Sequence, residues 1–406
     1  MSVIWVARIA AAALLISPMT SMAADPAQVE QGRYLAIAGD CAACHTAPGG
    51  AAYAGGVSIQ TPFGTLISPN ITPDIKTGIG GMSDAQFLGD MHTGIAPDGH
   101  LYPAFPYPYF TKVTDADVLA IYAWLKTLPP VSNKIKSNQL PFPFNIRASM
   151  RVWNSLNFTE GRFVPVAGKS DSWNRGAYLV EGLAHCGACH TAKTSLGGDE
   201  RSRLLQGGVL DQWFAPNLTG DTHTGIGGWS VEQIALYLQS GHNDFAAATG
   251  PMAEVVSVST SKLTDADRRA IATYLKDLPG QPNIASPSVD GAVMQLGAAV
   301  YDQQCAACHT GQGTGVDGLA PAFAHAPSVQ ASDPINLVRA VLLGAASVAT
   351  DTAPTAPAMP AFGWKLSDQQ IAAVLNYVRT SWGNAAAPLD AGQVHTLRER
   401  LRASAR

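Results

Sequence analysis

The residues able to do chemistry in this chain repeat in one pattern. All six cysteines of the 406 residues fall in Cys-x-x-Cys-His strings: Cys41/Cys44/His45, Cys186/Cys189/His190 and Cys305/Cys308/His309. Two thiols three positions apart on a helical turn can add to the two vinyl groups on one edge of a haem, while the adjacent imidazole reaches the iron from the proximal face. The histidines are then metal ligands and the cysteines attachment points. A thioredoxin-type dithiol or half of a zinc site would account for a Cys-x-x-Cys pair alone. Neither accounts for a histidine that follows it three times. Three covalently bound haem c groups are expected, and no thiol is left for a structural disulfide.

The distal face of each haem needs a second ligand or stays open. A thioether there raises the reduction potential relative to a second imidazole, and should come from a loop between the string and the helix that closes its repeat. Met252, in Gly250-Pro251-Met252, lies 62 residues after His190 and 12 before Thr264; Met359, in Ala358-Met359-Pro360, lies 50 after His309 and 8 before Ser367. A Gly/Pro-framed loop is a poor core position, so both are expected to bind iron. The first repeat departs from this. Phe105 occupies the loop 60 residues after His45 and 9 before Thr114, and has no atom that can coordinate a metal. Nearby Met91 and His92 fall on a predicted helix and His100 on a turn, where packing or surface roles are expected. The first haem is left without an assigned distal ligand.

Repeated elements must position these residues. Gly32-Arg33-Tyr34-Leu35 ahead of Cys41 recurs as Gly176-Ala177-Tyr178-Leu179 ahead of Cys186, and loosely as Gly297 to Tyr301 ahead of Cys305. Each reads as a short helix leading into a string. Asn70-Ile71-Thr72 through Gly81 matches Asn217-Leu218-Thr219 through Gly228 without a gap. Both fit the glycosylation pattern, but their place in matched Pro-Asn loops points to holding a haem pocket. Thr114, Thr264 and Ser367 are predicted N-caps of amphipathic closing helices, with apolar residues such as Ile121, Trp124 and Leu125 at helical spacing. Stretches such as 97–108 and 311–327 lack strand alternation, so the expected fold is all-α: three tandem domains, each wrapped around a covalent haem. Expected boundaries are 24–165 with a connector, 166–285, 286–384, and a tail at 385–406. The aromatic-rich connector from Leu128 to Val164 reads as an ordered extension that buries aromatics against a neighbour.

Composition removes other classes. A net charge of −4 without a basic run gives no electrostatic support for nucleic-acid binding. No Ser/His/Asp array, phosphate loop or dinucleotide fingerprint can be built, so substrate chemistry is expected on another polypeptide. Arg8 followed by Ile9 to Ile16 and Ser21-Met22-Ala23 reads as a secretory signal over residues 1–23, its apolar run shorter than the roughly 20 residues of a membrane span. Export is therefore expected. In the tail, Val394, Leu397 and Leu401 recur at helical spacing beside several arginines. Such a segment could lie on an anionic bilayer or form a solvated C-terminal helix.

Taken with the haem strings, Leu101-Tyr102-Pro103-Ala104, Pro141-Phe142-Pro143-Phe144-Asn145, Gly250-Pro251-Met252-Ala253 and Met359-Pro360-Ala361-Phe362-Gly363-Trp364 resemble the triple-haem cytochrome c subunit of bacterial membrane-bound dehydrogenases. The resemblance runs from about Ala24 to Trp382. It implies an electron-transfer subunit at the periplasmic face of the cytoplasmic membrane, which takes electrons from a quinoprotein, flavoprotein or molybdenum-type catalytic subunit and passes them to ubiquinone or the respiratory chain. It also implies Met252 and Met359 as distal ligands. The alternative is a haem enzyme, peroxidase-like or sulfur-oxidising, using an open iron at the first haem; Phe105 is the one feature that favours it.

Overall fold

The computed structural model describes residues 25–280 and 288–404. The expected signal segment and the expected junction at residue 285 lie outside the described residues. Three helix pairs form the frame. In the first repeat α1 (Pro26–Ala38) leads into α2 (Cys41–His45), followed by α3 (Asp84–Thr93), α4 (Tyr107–Phe110) and the closing α5 (Asp115–Leu125). The connector carries α6 (Met150–Asn157). The second repeat holds α7 (Asp171–Tyr178), α8 (Gly187–His190), α9 (Val231–Ser240), α10 (Pro251–Val258) and the closing α11 (Asp265–Lys276). The third holds α12 (Gly291–Gln304), α13 (Ala306–His309), α14 (Pro327–Gln330), α15 (Ile335–Leu343) and the closing α16 (Asp368–Thr380), and α17 (Ala391–Ser404) ends the described chain.

The expected caps form. The Thr114, Thr264 and Ser367 side chains accept from the backbone N–H three residues on, which satisfies one of the unpaired donors of each closing helix. One glycine in each leading helix sets the crossing: a Cβ on Gly32, Gly176 or Gly297 would stand 1.8, 1.9 or 2.2 Å from the carbonyl oxygen of Ala120, Ala270 or Ala373. The helices touch backbone to backbone at these points, and only glycine permits that.

The all-α expectation is corrected in one respect. Among the described residues four antiparallel strand pairs occur: β1 (Ser58–Thr61) with β2 (Gly64–Ile67), β3 (Ile95–Ala96) with β4 (Gly99–His100), β5 (Gly208–Leu210) with β6 (Trp213–Ala215), and β7 (Ala345–Ala346) with β8 (Ala358–Met359). With two to four residues per strand, none is long enough to show a period-two pattern.

The first two repeats share a single hydrophobic core that includes Leu35, Ile121, Leu125, Leu179, Leu183 and Ile271, while the third has its own around Val338, Ile371, Val374 and Val378. The shared interface is reciprocal. Tyr34 Oη donates to Asp267 Oδ2 (2.7 Å) and accepts from Thr264 N (3.2 Å); Tyr178 Oη donates to Asp117 Oδ2 (2.5 Å) and accepts from Thr114 N (3.2 Å). Tyr301, at the matching place in the third repeat, turns inward to the Thr310 carbonyl (2.7 Å). The third repeat joins the second through Asn336, whose side-chain amide bonds both N and O of Phe214, and through Trp229 Nε1 donating to the His325 carbonyl (3.1 Å).

The tail is part of the third repeat. Val394 and Leu401 are buried, Leu397 packs against the same core, and the Arg398 guanidinium pairs with Asp368 (2.7 Å) and bonds the Gly363 and Leu366 carbonyls. The apolar stripe that could have lain on a bilayer is instead covered by protein. The connector buries its aromatics only in part: Trp153, its Nε1 donating to the Leu196 carbonyl (2.9 Å), and Phe158, edge-on to Tyr107, are half-buried, and Phe142 is 79% exposed.

Candidate haem sites

Each string sits on a short helix that the leading helix delivers into a pocket wall. His45 Nδ1 bonds the Pro69 carbonyl (2.8 Å), His190 Nδ1 the Pro216 carbonyl (2.6 Å), and His309 Nδ1 the Pro321 carbonyl (3.3 Å). A carbonyl can only accept, so Nδ1 carries the proton and Nε2, without a protein partner, presents its lone pair. Desolvation pulls all three imidazoles below the ordinary histidine range although the carbonyls work the other way. These rings are neutral and held in one tautomer, as an imidazole that binds a metal through Nε2 must be. In the third site Phe323 stacks on the His309 ring (centroids 4.4 Å apart) and on Trp382 (5.9 Å).

The cysteines fit attachment rather than dithiol redox. Desolvation pushes the Cys41 and Cys186 thiols up to about 12 and Cys305 to about 11. A redox-active dithiol needs a depressed value instead. No disulfide is present, and among the described residues no three His, Cys, Asp or Glu converge on a metal-sized site, so half of a zinc site would find no second half.

The six thiols differ in exposure: Cys308 is exposed, while Cys305, its partner in the string, is half-buried against the third core. Cys308 N donates to the Cys305 carbonyl (3.2 Å), as Cys189 N does to the Cys186 carbonyl (3.3 Å). Cys44 is exposed in the same way in the first string, whereas Cys189 of the second is half-buried, in the repeat that abuts the first.

The prolines that hold the histidines are themselves held. Asn70, 2% exposed, follows Pro69: its Oδ1 accepts from Thr72 N (3.0 Å) and its Nδ2 donates to Thr77 Oγ1 and the Val131 carbonyl. Asn217 repeats this after Pro216, with Thr219 N (2.8 Å) and Thr224 Oγ1 (3.0 Å). Both amides are buried and engaged, so the pattern is a pocket brace and leaves no free amide for a sugar.

The structure distributes the distal candidates unevenly. Met252 is the second residue of α10, partly buried against the shared core. Gly250, at φ +54°, precedes it under the Trp213 indole, where a Cβ would come within 2.2 Å of the ring; Arg339 of the third repeat covers that ring at 4.3 Å. Met359 ends β8, partly buried against the third core. Phe105 packs against Phe110 (5.4 Å). Met91 is in the core, His92 is 2% exposed with Nδ1 3.6 Å from Asp115 Oδ1, and His100 Nε2 accepts from Arg151 Nε (3.4 Å). His92 Nε2 and His100 Nδ1 are buried without a hydrogen-bond partner among the described residues.

The first two strings abut, which sequence reasoning missed. His185, one residue before Cys186, is half-buried with Nε2 3.3 Å from the Gly39 carbonyl, two residues before Cys41. Tyr109, from the first repeat's distal region, stands with its hydroxyl beside Gly187 and bonds Asp199. The repeated Gly-x-Tyr-Leu strings were the available signal, since each tyrosine reaches across to the other repeat.

Comparison with known proteins agrees with this geometry. The cytochrome c family model matches three segments, residues 29–129, 174–279 and 294–382. The chain is 41% identical to the gluconate 2-dehydrogenase cytochrome c subunit of Pantoea cypripedii, over 93% of this chain and 90% of that one. It is 40% identical to the cytochrome c subunit of the quinone alcohol dehydrogenase of Gluconacetobacter polyoxogenes (89% and 82%), and 38% identical to the fructose dehydrogenase cytochrome subunit of Gluconobacter japonicus (93% and 84%). The chain therefore belongs to the cytochrome c family, among the cytochrome c subunits of dehydrogenases.

Proposed function

We propose that this chain is an exported electron-transfer subunit carrying three covalent haem c groups, which relays electrons from a periplasmic dehydrogenase catalytic subunit to ubiquinone at the periplasmic face of the cytoplasmic membrane. The reading rests above all on one geometry made three times: a Cys-x-x-Cys pair followed by a histidine whose Nδ1 is tied to a proline carbonyl and whose Nε2 is unengaged. Bound haem supplies a reversible one-electron iron couple. The chain holds it through Cys41/Cys44, Cys186/Cys189 and Cys305/Cys308, orients His45, His190 and His309, and offers Met252 and Met359 to the sixth position. The abutting of the first and second strings on one shared core supports a relay between them, and Asn336 and Arg339 tie the third repeat to the second. The names of the relatives lend no support to a peroxidase-like or sulfur-oxidising enzyme.

Pyridine haemochrome assay of the exported protein against its mass is expected to return three haems per chain. Two or fewer in an intact chain would overturn the count. Co-purification with a flavin-, quinone- or molybdenum-containing catalytic subunit, and reduction of the haems by its substrate, tests the relay.

A further inference from the structure

We infer that the connector between the first and second repeats is the surface that seats this protein on an anionic phospholipid bilayer. The inference rests on the proposed work at a membrane and goes beyond it by assigning the surface. The chain carries −4 overall, yet residues 129–169 carry six cations and one carboxylate, a net +5. Arg147, Arg162 and Lys169 are paired with Asp98, Asp115 and Asp277. Lys134, Lys136 and Arg151 have no carboxylate partner among the described residues. Lys134, Lys136 and Arg147, with Lys76 from the first repeat, line one groove of about 610 Å³ whose single carboxylate, Asp98, is the one already paired with Arg147. The groove concentrates positive charge that anionic phosphate headgroups would neutralise.

Apolar side chains continue from it. Pro141 to Ile146 are six consecutive exposed residues, with Phe142 79% and Ile146 45% exposed. Farther along, α6 turns Trp153, Asn154 and Asn157 onto the protein, where Trp153 Nε1 donates to the Leu196 carbonyl, Asn154 accepts from Tyr107 Oη and the Asn157 side chain lies against Gly198. Its other face presents Val152 and Leu156, one turn apart and about two-thirds exposed. Exposed apolar residues among unpaired lysines match the interfacial zone of a bilayer, where hydrocarbon accepts the former and anionic headgroups attract the latter. Lysine is depleted at protein–protein interfaces, so three of them around one groove favour lipid over a protein partner. The tail cannot serve, because Val394, Leu397 and Leu401 already face the third core.

The test is flotation of the full-length, haem-loaded protein with vesicles. The wild type should float with phosphatidylcholine/phosphatidylglycerol vesicles, be released by salt and ignore pure phosphatidylcholine. Lys134→Glu/Lys136→Glu should weaken flotation by about tenfold or more, and Val152→Ser/Leu156→Ser should weaken it as well. Trp364→Ser, at an 83% exposed site in the third repeat, should float normally. Visible haem bands and far-ultraviolet circular dichroism confirm that each variant is folded. The inference is overturned if the wild type does not float, if both connector variants float like it, or if Trp364→Ser alone abolishes flotation. Connector variants that float normally but no longer co-purify with the catalytic subunit would assign the surface to protein and overturn it equally. Reduction by the catalytic subunit in detergent is measured separately, so failure of the relay and failure of this surface are told apart.

Discussion

The three haem-string histidines differ from the other histidines of the chain in what their Nδ1 meets. Each of His45, His190 and His309 meets a proline carbonyl, and the proline is fixed by a buried asparagine in the first two sites. Orienting a ligand through its second nitrogen is what makes an imidazole a directed metal ligand rather than a rotating one. The distal side is less uniform. With the proposed thioether ligation, Met252→Ala leaves one iron without its sixth ligand and lowers its potential, because a thioether raises the potential relative to its absence or to nitrogen. Electron paramagnetic resonance should show one additional high-spin haem, and a potentiometric titration one component moved downward. An unchanged spin state would remove Met252 from the ligand set. Phe105, packed on Phe110, offers the first site no such group.

Each repeat depends on one crossing of two helices, at Gly32, Gly176 or Gly297. In Gly297→Ala the new methyl would lie 2.2 Å from the Ala373 carbonyl oxygen and 2.8 Å from Tyr377 Cβ. Backbone cannot yield as a flexible side chain does, so the pair must separate. The expected cost is about 3 kcal/mol. Because the third core is distinct from the shared one, denaturant unfolding should show loss of the third repeat alone at lower concentration, with the transition of the shared core unmoved. A single transition shifted as a whole would contradict the separation of the cores.

Across the whole molecule, the first two repeats behave as one unit held by crossed tyrosines and buried charge. Desolvation works to raise the Asp267 carboxyl, but the Arg175 guanidinium, bidentate at 2.8 and 2.7 Å, and the Tyr34 hydroxyl hold it below the usual carboxylate range. A carboxyl depressed in the folded state contributes stability that is complete above its unfolded value of about 4 and is lost as pH falls through the lower folded value. Acid below about pH 4 should therefore loosen the shared core. Asp267→Asn removes the charge, costs about 2 kcal/mol at neutral pH and flattens that acid limb, as thermal melts across pH will report. A variant with the wild-type acid limb would place the pH sensitivity elsewhere.

The sequence alone was enough for the repeat count, the six cysteines and three histidines in matching strings, the caps at Thr114, Thr264 and Ser367, and the family. All of these are local: a capped helix start or a five-residue string has its meaning within one or two turns. Strands of two to four residues were illegible for the same reason, being too short to establish a period. Tertiary structure alone decided which surfaces each element covers. Cys189 and Cys308 hold the same place in their strings, yet the first is half-buried and the second exposed. Tyr34 and Tyr178 look alike in sequence to a tyrosine packed at home, yet each reaches into the opposite repeat. The stripe of Val394, Leu397 and Leu401 had two outcomes, bilayer or protein, and the third core took it. The connector, read as a buried extension, kept Phe142, Val152 and Leu156 outside. Periodicity specifies a face but not its partner; the partner is set by contacts between residues far apart in the chain.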